Sequence, residues 1–308
     1  GGRYLAFDVL GCGTELRVDA TIGSDPALVP AWYRPLLSRS FFAEPAMGVS
    51  SESFYVIDEN GRTAATYQRT RAGLGLDLGV NVGANDEVRA GVRYGWPAAS
   101  VRVGDPGLPE IDGEDASAYW TWTHDAQDSP IVPSRGLRTE STMRHVLIAP
   151  LVTEAGAVRT SDGVTQAEGH GSWVKSLAAG ARRRLFLTGG AGTSFDTEPL
   201  PTEQFVLGGP LRMSAFNVGQ VRGDHYLLGT VGYLHQVMRL PDFLGGPVFL
   251  GGWADTGTAF DSWDEADVDT HFSAGIIGET LIGPIFGSFS VGMDGDSRFY
   301  IGIGKLFR

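Results

Sequence analysis

One stretch, Arg71 to Trp96, restricts the fold more than any other. Ala72, Leu74, Leu76, Leu78, Val80 and Val82 alternate with Arg71, Gly73, Gly75, Asp77, Gly79 and Asn81. After the turn Ala84-Asn85-Asp86-Glu87, the pattern resumes. Val88, Ala90, Val92, Tyr94 and Trp96 then alternate with Arg89, Gly91, Arg93 and Gly95. Strand side chains point to opposite faces with period two. The stretch therefore predicts a hairpin with one apolar face and one face of charge and glycine. Alternation alone does not fix the solvent, because a soluble sandwich alternates too. Length and ends bear on it. Each arm is close to the roughly 9–11 residues a tilted strand needs to cross a bilayer. The apolar row ends in Tyr94 and Trp96, where an interfacial aromatic girdle would lie. The reading is a transmembrane β-barrel hairpin, with lipid outside and water inside.

Composition agrees where it discriminates. Glycine makes up 44 of 308 residues and sits mainly inside the alternating runs, as a crowded barrel lumen requires. The net charge of -12 argues against nucleic acid as a partner, since such binders usually carry a basic patch. No apolar run approaches the roughly 20 residues of a membrane-spanning helix. A membrane-spanning form must then be a closed barrel, because lipid tolerates no unpaired backbone group. Cys12 is the single cysteine, which excludes a disulfide framework and a thiolate cluster.

In chain order, strands are predicted at Arg3–Leu10, Thr14–Gly23, Ser40–Ile57, Arg62–Gly83, Glu87–Val103, Ala116–Asp125 and Leu137–Ile148. They continue at Thr165–Leu177, Ala181–Ser194, His225–Leu240, Gly246–Phe260, Thr270–Leu281, Pro284–Met293 and Arg298–Phe307. Ser24–Arg39, with three prolines and no clean period, reads as a connection. Asn60-Gly61 is a hairpin signal. The count is about fourteen strands, and the fold class is all-β. Short and long connections roughly alternate, as they do in outer-membrane barrels. The longest runs from Ser194 to Asp224, and loops of that length are often functional.

Four features, in order, resemble the bacterial surface-antigen superfamily of outer-membrane barrels. That family includes BamA, TamA, the FhaC-type two-partner transporters and barrels fused to patatin-like phospholipases. Trp253-Ala254-Asp255-Thr256-Gly257 resembles its aromatic-x-Asp-x-Gly strand motif. Phe205-Val206-Leu207-Gly208-Gly209, leading to Phe216, stands where the family has its long sixth extracellular loop. Asp128 through Pro133, Arg135 and Gly136 resembles its periplasmic Asp…Pro-x-Arg-Gly turn. The C-terminal strand, with Phe299, Ile301, Ile303 and Phe307 on one face, resembles an assembly signal. Leu16–Ile22, Trp32-Tyr33-Arg34-Pro35-Leu36 and Phe42-Ala43-Glu44-Pro45 look most like the patatin-fused branch.

The resemblance implies sixteen strands, with the Asp motif on the thirteenth. Asp255 falls on the eleventh predicted strand, so residues 1–308 are expected to be one barrel domain lacking two N-terminal strands, with residues 195–224 outside. The start Gly1-Gly2-Arg3-Tyr4 has no signal-peptide pattern, which fits a chain beginning within a longer protein. In the family, a loop arginine pairs with the strand aspartate inside the lumen. Here the aligned tip reads Ser214-Ala215-Phe216. Arg212 is the expected partner of Asp255, with Arg222 as a second candidate and lumen water as the alternative. The seam between first and last strands would be the weak point.

The chemistry of an enzyme is not written here. No G-x-S-x-G nucleophile turn occurs, the nearest being Ser288-Phe289-Ser290-Val291-Gly292 in a strand. His124, His145, His170, His225, His235 and His271 are scattered without metal-ligand spacing, so neither metal nor cofactor is expected. The acidic run Asp261–Asp269 reads as a solvated outer loop, and Arg182-Arg183-Arg184 as a periplasmic strand end. The resemblance implies a barrel that anchors, inserts or exports a polypeptide in the bacterial outer membrane, above all a fused patatin-like lipase. An assembly barrel, a two-partner secretion barrel, a passive porin and, from another class, a soluble β-sandwich or carbohydrate-binding protein are the alternatives. The implied partners are the lipid bilayer with lipopolysaccharide, the outer-membrane assembly machinery, a fused or secreted passenger and a second copy of the chain.

Overall fold

The computed structural model describes residues 1–304 apart from 24, 37, 39, 58–62, 106, 155–156, 160–162, 178, 196–198, 200–202, 242 and 282. The Asn60-Gly61 turn and Phe307 lie outside the described residues. The chain divides into two units. One holds residues 1–122, 142–167 and 194–203; the other holds 123–141, 168–193 and 204–308.

The strands are β1 (Gly2–Phe7), β2 (Glu15–Thr21), β3 (Ala27–Pro35), β4 (Phe41–Ile57), β5 (Thr63–Val82), β6 (Asp86–Val103) and β7 (Glu110–Asp112). They continue as β8 (Asp115–Asp125), β9 (Gly136–Ile148), β10 (Leu151–Glu154), β11 (Ala157–Arg159), β12 (Thr165–Ser176) and β13 (Arg183–Phe195). Last come β14 (Phe205–Leu207), β15 (Val221–Gly223), β16 (His225–Arg239), β17 (Gly245–Phe260), β18 (Asp269–Thr280), β19 (Gly283–Gly292) and β20 (Ser297–Ile303). Among the described residues, helix is limited to single 3-10 turns at Ala179–Ala181 and Trp263–Glu265.

In the first unit, β1 to β6 form an antiparallel meander, each strand paired with its chain neighbour. The opening hairpin is β5 and β6, with Leu74 opposite Tyr94 and Asp77 opposite Gly91. Its burial is inverted relative to a soluble protein. Leu74, Leu76 and Leu78 are about half exposed, whereas Asp77 is 2% exposed and Glu44 is 5% exposed. Keeping each such leucine in water forgoes roughly 1.5–3 kcal/mol of burial. A soluble sandwich would turn that face inward, so the exposed face calls for lipid.

The buried face is a charge network. Asp77 accepts from Arg89 Nη1 and Arg93 Nη2, both at 2.9 Å, and from the Tyr119 hydroxyl. Glu44 accepts from Arg17 Nη2 at 2.9 Å and Arg89 Nη1 at 3.3 Å. A buried carboxylate survives only when paired and hydrogen-bonded in this way. Beyond Arg71 the hairpin reverses its code. Ala65 and Tyr67 on β5 and Ala99 on β6 point inward and form a small apolar cluster, while Gln68 and Thr70 point out.

Ser24–Arg39 corrects the sequence reading. Ala27–Pro35 is a strand, pairing with β2 from Glu15↔Tyr33 to Thr21↔Ala27. Its prolines hid it, since proline cannot donate to a ladder. The ladder from β3 to β4 lapses at Val29-Pro30 and resumes at Ala31↔Ala46. The expected polar loop after β9 also contains β10 and β11. Fifteen described strands have six residues or more, close to the fourteen expected, and Asp255 lies on the twelfth of them.

In the second unit, β13 pairs with β16, and β16 to β20 continue the meander. Its core contains Val132, Val174, Phe186, Leu211, Leu234, Phe249, Trp253 and Ile277. Two of these, Val132 and Leu211, come from connections rather than long strands, and they lead to the site.

Candidate functional site

Alternation along β17 places Phe249, Trp253, Asp255 and Gly257 on the buried face. The long loop folds onto that face. It begins with the β14–β15 hairpin, Phe205 opposite Gly223. Two tight turns follow, closed by Arg212 N–H to the Gly209 carbonyl at 3.0 Å and Phe216 N–H to the Met213 carbonyl at 3.1 Å. Leu211, Met213, Ser214, Ala215 and Phe216 are all buried. Leu211 joins the Trp253 core, while Met213 and Phe216 pack with Leu207 and Tyr226. Gly257 is needed here: a Cβ would lie 2.6 Å from the Leu227 carbonyl and 3.1 Å from Met213 Sδ.

Polar contacts fix the tip. Ser214 donates its N–H to Asp255 Oδ2 at 2.7 Å and its hydroxyl to Asp255 Oδ1 at 2.8 Å. The Ser214 oxygen in turn accepts from Leu211 N–H at 3.0 Å and Trp253 Nε1 at 3.2 Å. Ala215 N–H donates to His271 Nδ1 at 3.0 Å, and Phe216 sits edge-on to that ring. The Tyr300 hydroxyl donates to the Phe216 carbonyl, and Arg298 Nε to Asn217 Oδ1 at 3.1 Å. Charge-assisted hydrogen bonds of this kind are stronger than neutral ones.

The expected partner of Asp255 is replaced. Arg212 does not reach it; Arg212 is exposed and its Nη2 donates to the Val206 carbonyl at 3.2 Å. The turn points Arg212 away and brings Ser214, two residues on, to the carboxylate. A backbone N–H and a hydroxyl thus do what an arginine was expected to do. Trp253, Asp255, Phe216 and Gly257 come together as named. Ser214, His271 and Tyr300 were missed. Register would have found His271, which stands directly across from Asp255 on β18.

The second motif is a separate structure. Asp128 Oδ1 accepts from Ser134 N–H at 2.8 Å and Arg135 N–H at 3.2 Å, and the Ser134 hydroxyl donates to Oδ2. Burial pushes the Asp128 carboxyl up, but these three donors outweigh it and hold it below its ordinary value. Pro133 is buried, Arg135 is exposed, and Gly136 has φ 113° in the turn. Arg184, from the predicted strand end, is also buried. It donates to the Val132 carbonyl at 2.7 Å and the Pro133 carbonyl at 3.1 Å, and lies over the Phe249 ring at 4.3 Å. On β20, Phe299, Ile301 and Ile303 are exposed on one face, and Tyr300 turns inward to the loop.

A family model described as the Omp85 superfamily domain matches residues 8–307. The chain belongs to the Omp85 superfamily. This family is one of outer-membrane β-barrels whose members transport or insert proteins. The Omp85 fold agrees with solved structures. BamA from Haemophilus ducreyi lacking POTRA domains 1–3 superposes with a TM-score of 0.69 at 12% identity, covering 98% of this chain and 67% of that one. CdiB from Escherichia coli gives 0.59 at 13% identity, covering 98% and 56%; CdiB from Acinetobacter baumannii gives 0.58 at 8%, covering 94% and 53%. The chain thus spans between about half and two thirds of these proteins' lengths. No curated protein sequence matches it significantly. Fold class and family are therefore an all-β antiparallel barrel of the Omp85 type.

Proposed function

We propose that this Omp85 domain resides in the bacterial outer membrane and anchors, inserts or exports a polypeptide, with its long loop as an internal plug. The observation that carries this is the seated tip, Leu211–Phe216, buried on β17 and tied to Asp255. An open porin lumen with no plug filling it would leave that seated tip without a role. The passenger in this reading is a fused patatin-like phospholipase, on the resemblance of Leu16–Ile22 and Trp32–Leu36. An assembly or two-partner barrel is the second reading, favoured by the likeness of fold to BamA and CdiB. Lipopolysaccharide, the assembly machinery and a homodimer partner belong to the same proposal.

Planar-bilayer conductance tests the plug. The wild-type chain is expected to give small, steady currents, and Asp255→Ala larger and noisier ones. Large ungated currents from the wild type would establish the porin reading instead. The mass of the native protein recovered from outer membranes separates the other two. A hydrolase-sized extension that cleaves phospholipid supports the patatin reading.

A further inference from the structure

His271 holds the tip in a way that depends on its charge. Asp255 and His271 are cross-strand partners, and both are fully buried. Because Ala215 N–H donates to His271 Nδ1, that nitrogen carries no proton. The neutral ring then carries its proton on Nε2. Among the described residues, His271 Nε2 is buried and has no hydrogen-bond partner. The ring serves the loop with one nitrogen and leaves the other unsatisfied. The tip it holds is itself constrained: Leu211 and Met213 have φ of 61° and 72°. Residues with a side chain adopt this left-handed region only when their surroundings impose it.

Adding a proton reverses the contact. Nδ1 becomes an N–H aimed at the Ala215 N–H, and two donors cannot share one bond. The new N–H instead finds Asp255 Oδ2, 3.5 Å away. That oxygen already holds the Ser214 N–H. The imidazolium therefore removes one anchor of the tip and competes for another.

Asp255 on β17 faces the His271 ring, and Asp269 on the ring's own strand interacts with His271 and also with Asp267 in the preceding loop and Asp294 and Asp296 in the turn after β19. Asp294 Oδ1 and His271 Nε2 flank the same glycine, Gly292. From β20, Tyr300 and Arg298 are engaged with Phe216 and Asn217. Arg212 on the tip is engaged with Val206.

We infer that His271 is an acid-sensitive latch on the long loop, holding the tip when neutral and releasing it when protonated. This goes beyond the transport reading and holds for any passenger.

The test is hydrogen–deuterium exchange on the full chain in lipid nanodiscs, corrected for the intrinsic pH dependence of amide exchange. Protection of residues 211–217 is expected to fall by about ten-fold or more on acidification from about pH 8 to about pH 5. Protection of β19 should not change. His271→Asn puts an acceptor near the Nδ1 position and does not titrate. Its tip should stay protected and flat across the range. A flat wild-type profile would overturn the latch, as would the same acid loss in His271→Asn. Loss of tip protection in His271→Asn at both pH values, with β19 intact, would also overturn it. If that variant does not fold, the wild-type profile decides alone.

Discussion

Ser214 Oγ uses its whole hydrogen-bonding capacity: it donates to Asp255 and accepts from Leu211 and Trp253. Ser214→Ala therefore leaves two buried donors and one carboxylate oxygen short of partners, at about 1–3 kcal/mol. A double-mutant cycle with Asp255→Asn should be non-additive, because each change removes part of the same bond. Additive losses in denaturant unfolding would show that the two residues act separately. Asp128 yields a prediction about pH. Its folded value is depressed, so the unfolded chain binds more protons in the acid range. Its contribution is complete above the unfolded carboxylate value and is lost as pH falls through the folded one. Asp128→Asn should flatten that acid limb of stability, measured by unfolding in detergent at a series of pH values. A wild-type acid limb retained in the variant would remove Asp128 from the turn's energetics. These details were poorly legible beforehand. The family resemblance points to Arg212 as the partner of Asp255, but a sequence does not show that two turns aim Ser214 inward.

At the scale of elements, most strands were legible because their faces differ so sharply. The β5–β6 hairpin follows from alternation alone, and the Asp255 strand from alternation and its motif. The failures have one cause each. β3 was hidden by Pro30 and Pro35, which break the periodic donor pattern without preventing an extended backbone. The periplasmic strand-end reading of Arg182-Arg183-Arg184 does not separate the three arginines, and period two places Arg184 on the buried face beside Val132. Arg184→Met should preserve packing over Phe249 while freeing the Val132 and Pro133 carbonyls. The expected result is faster exchange of the 128–136 amides, and unchanged exchange would mean the guanidinium is not the support. On the opposite face, Leu76→Arg should cost roughly 2–4 kcal/mol if Leu76 lies near the lipid midplane. Refolding into bilayers from urea measures it. A cost under about 0.5 kcal/mol, ordinary for a surface change, would mean Leu76 faces water.

For the whole molecule, alternation alone leaves the solvent open, and burial agrees with the reading from length and aromatic ends by putting Asp77 inside and Leu76 outside. The same feature has a practical consequence, because the hairpin obeys two opposite rules along one pair of strands. On β5 the outward residues are polar at Thr66, Gln68 and Thr70, then apolar from Ala72 to Val82. On β6 the change falls between Ser100 and Trp96, and Ala72 stands directly across from Trp96. From Ala72 to Val82 is eleven residues, about one bilayer crossing. A saturation scan of the outward positions should then behave as a depth gauge. Charged replacements would be neutral above the Ala72–Trp96 pair and damaging below it, marking the water–lipid boundary to within one rung of the ladder.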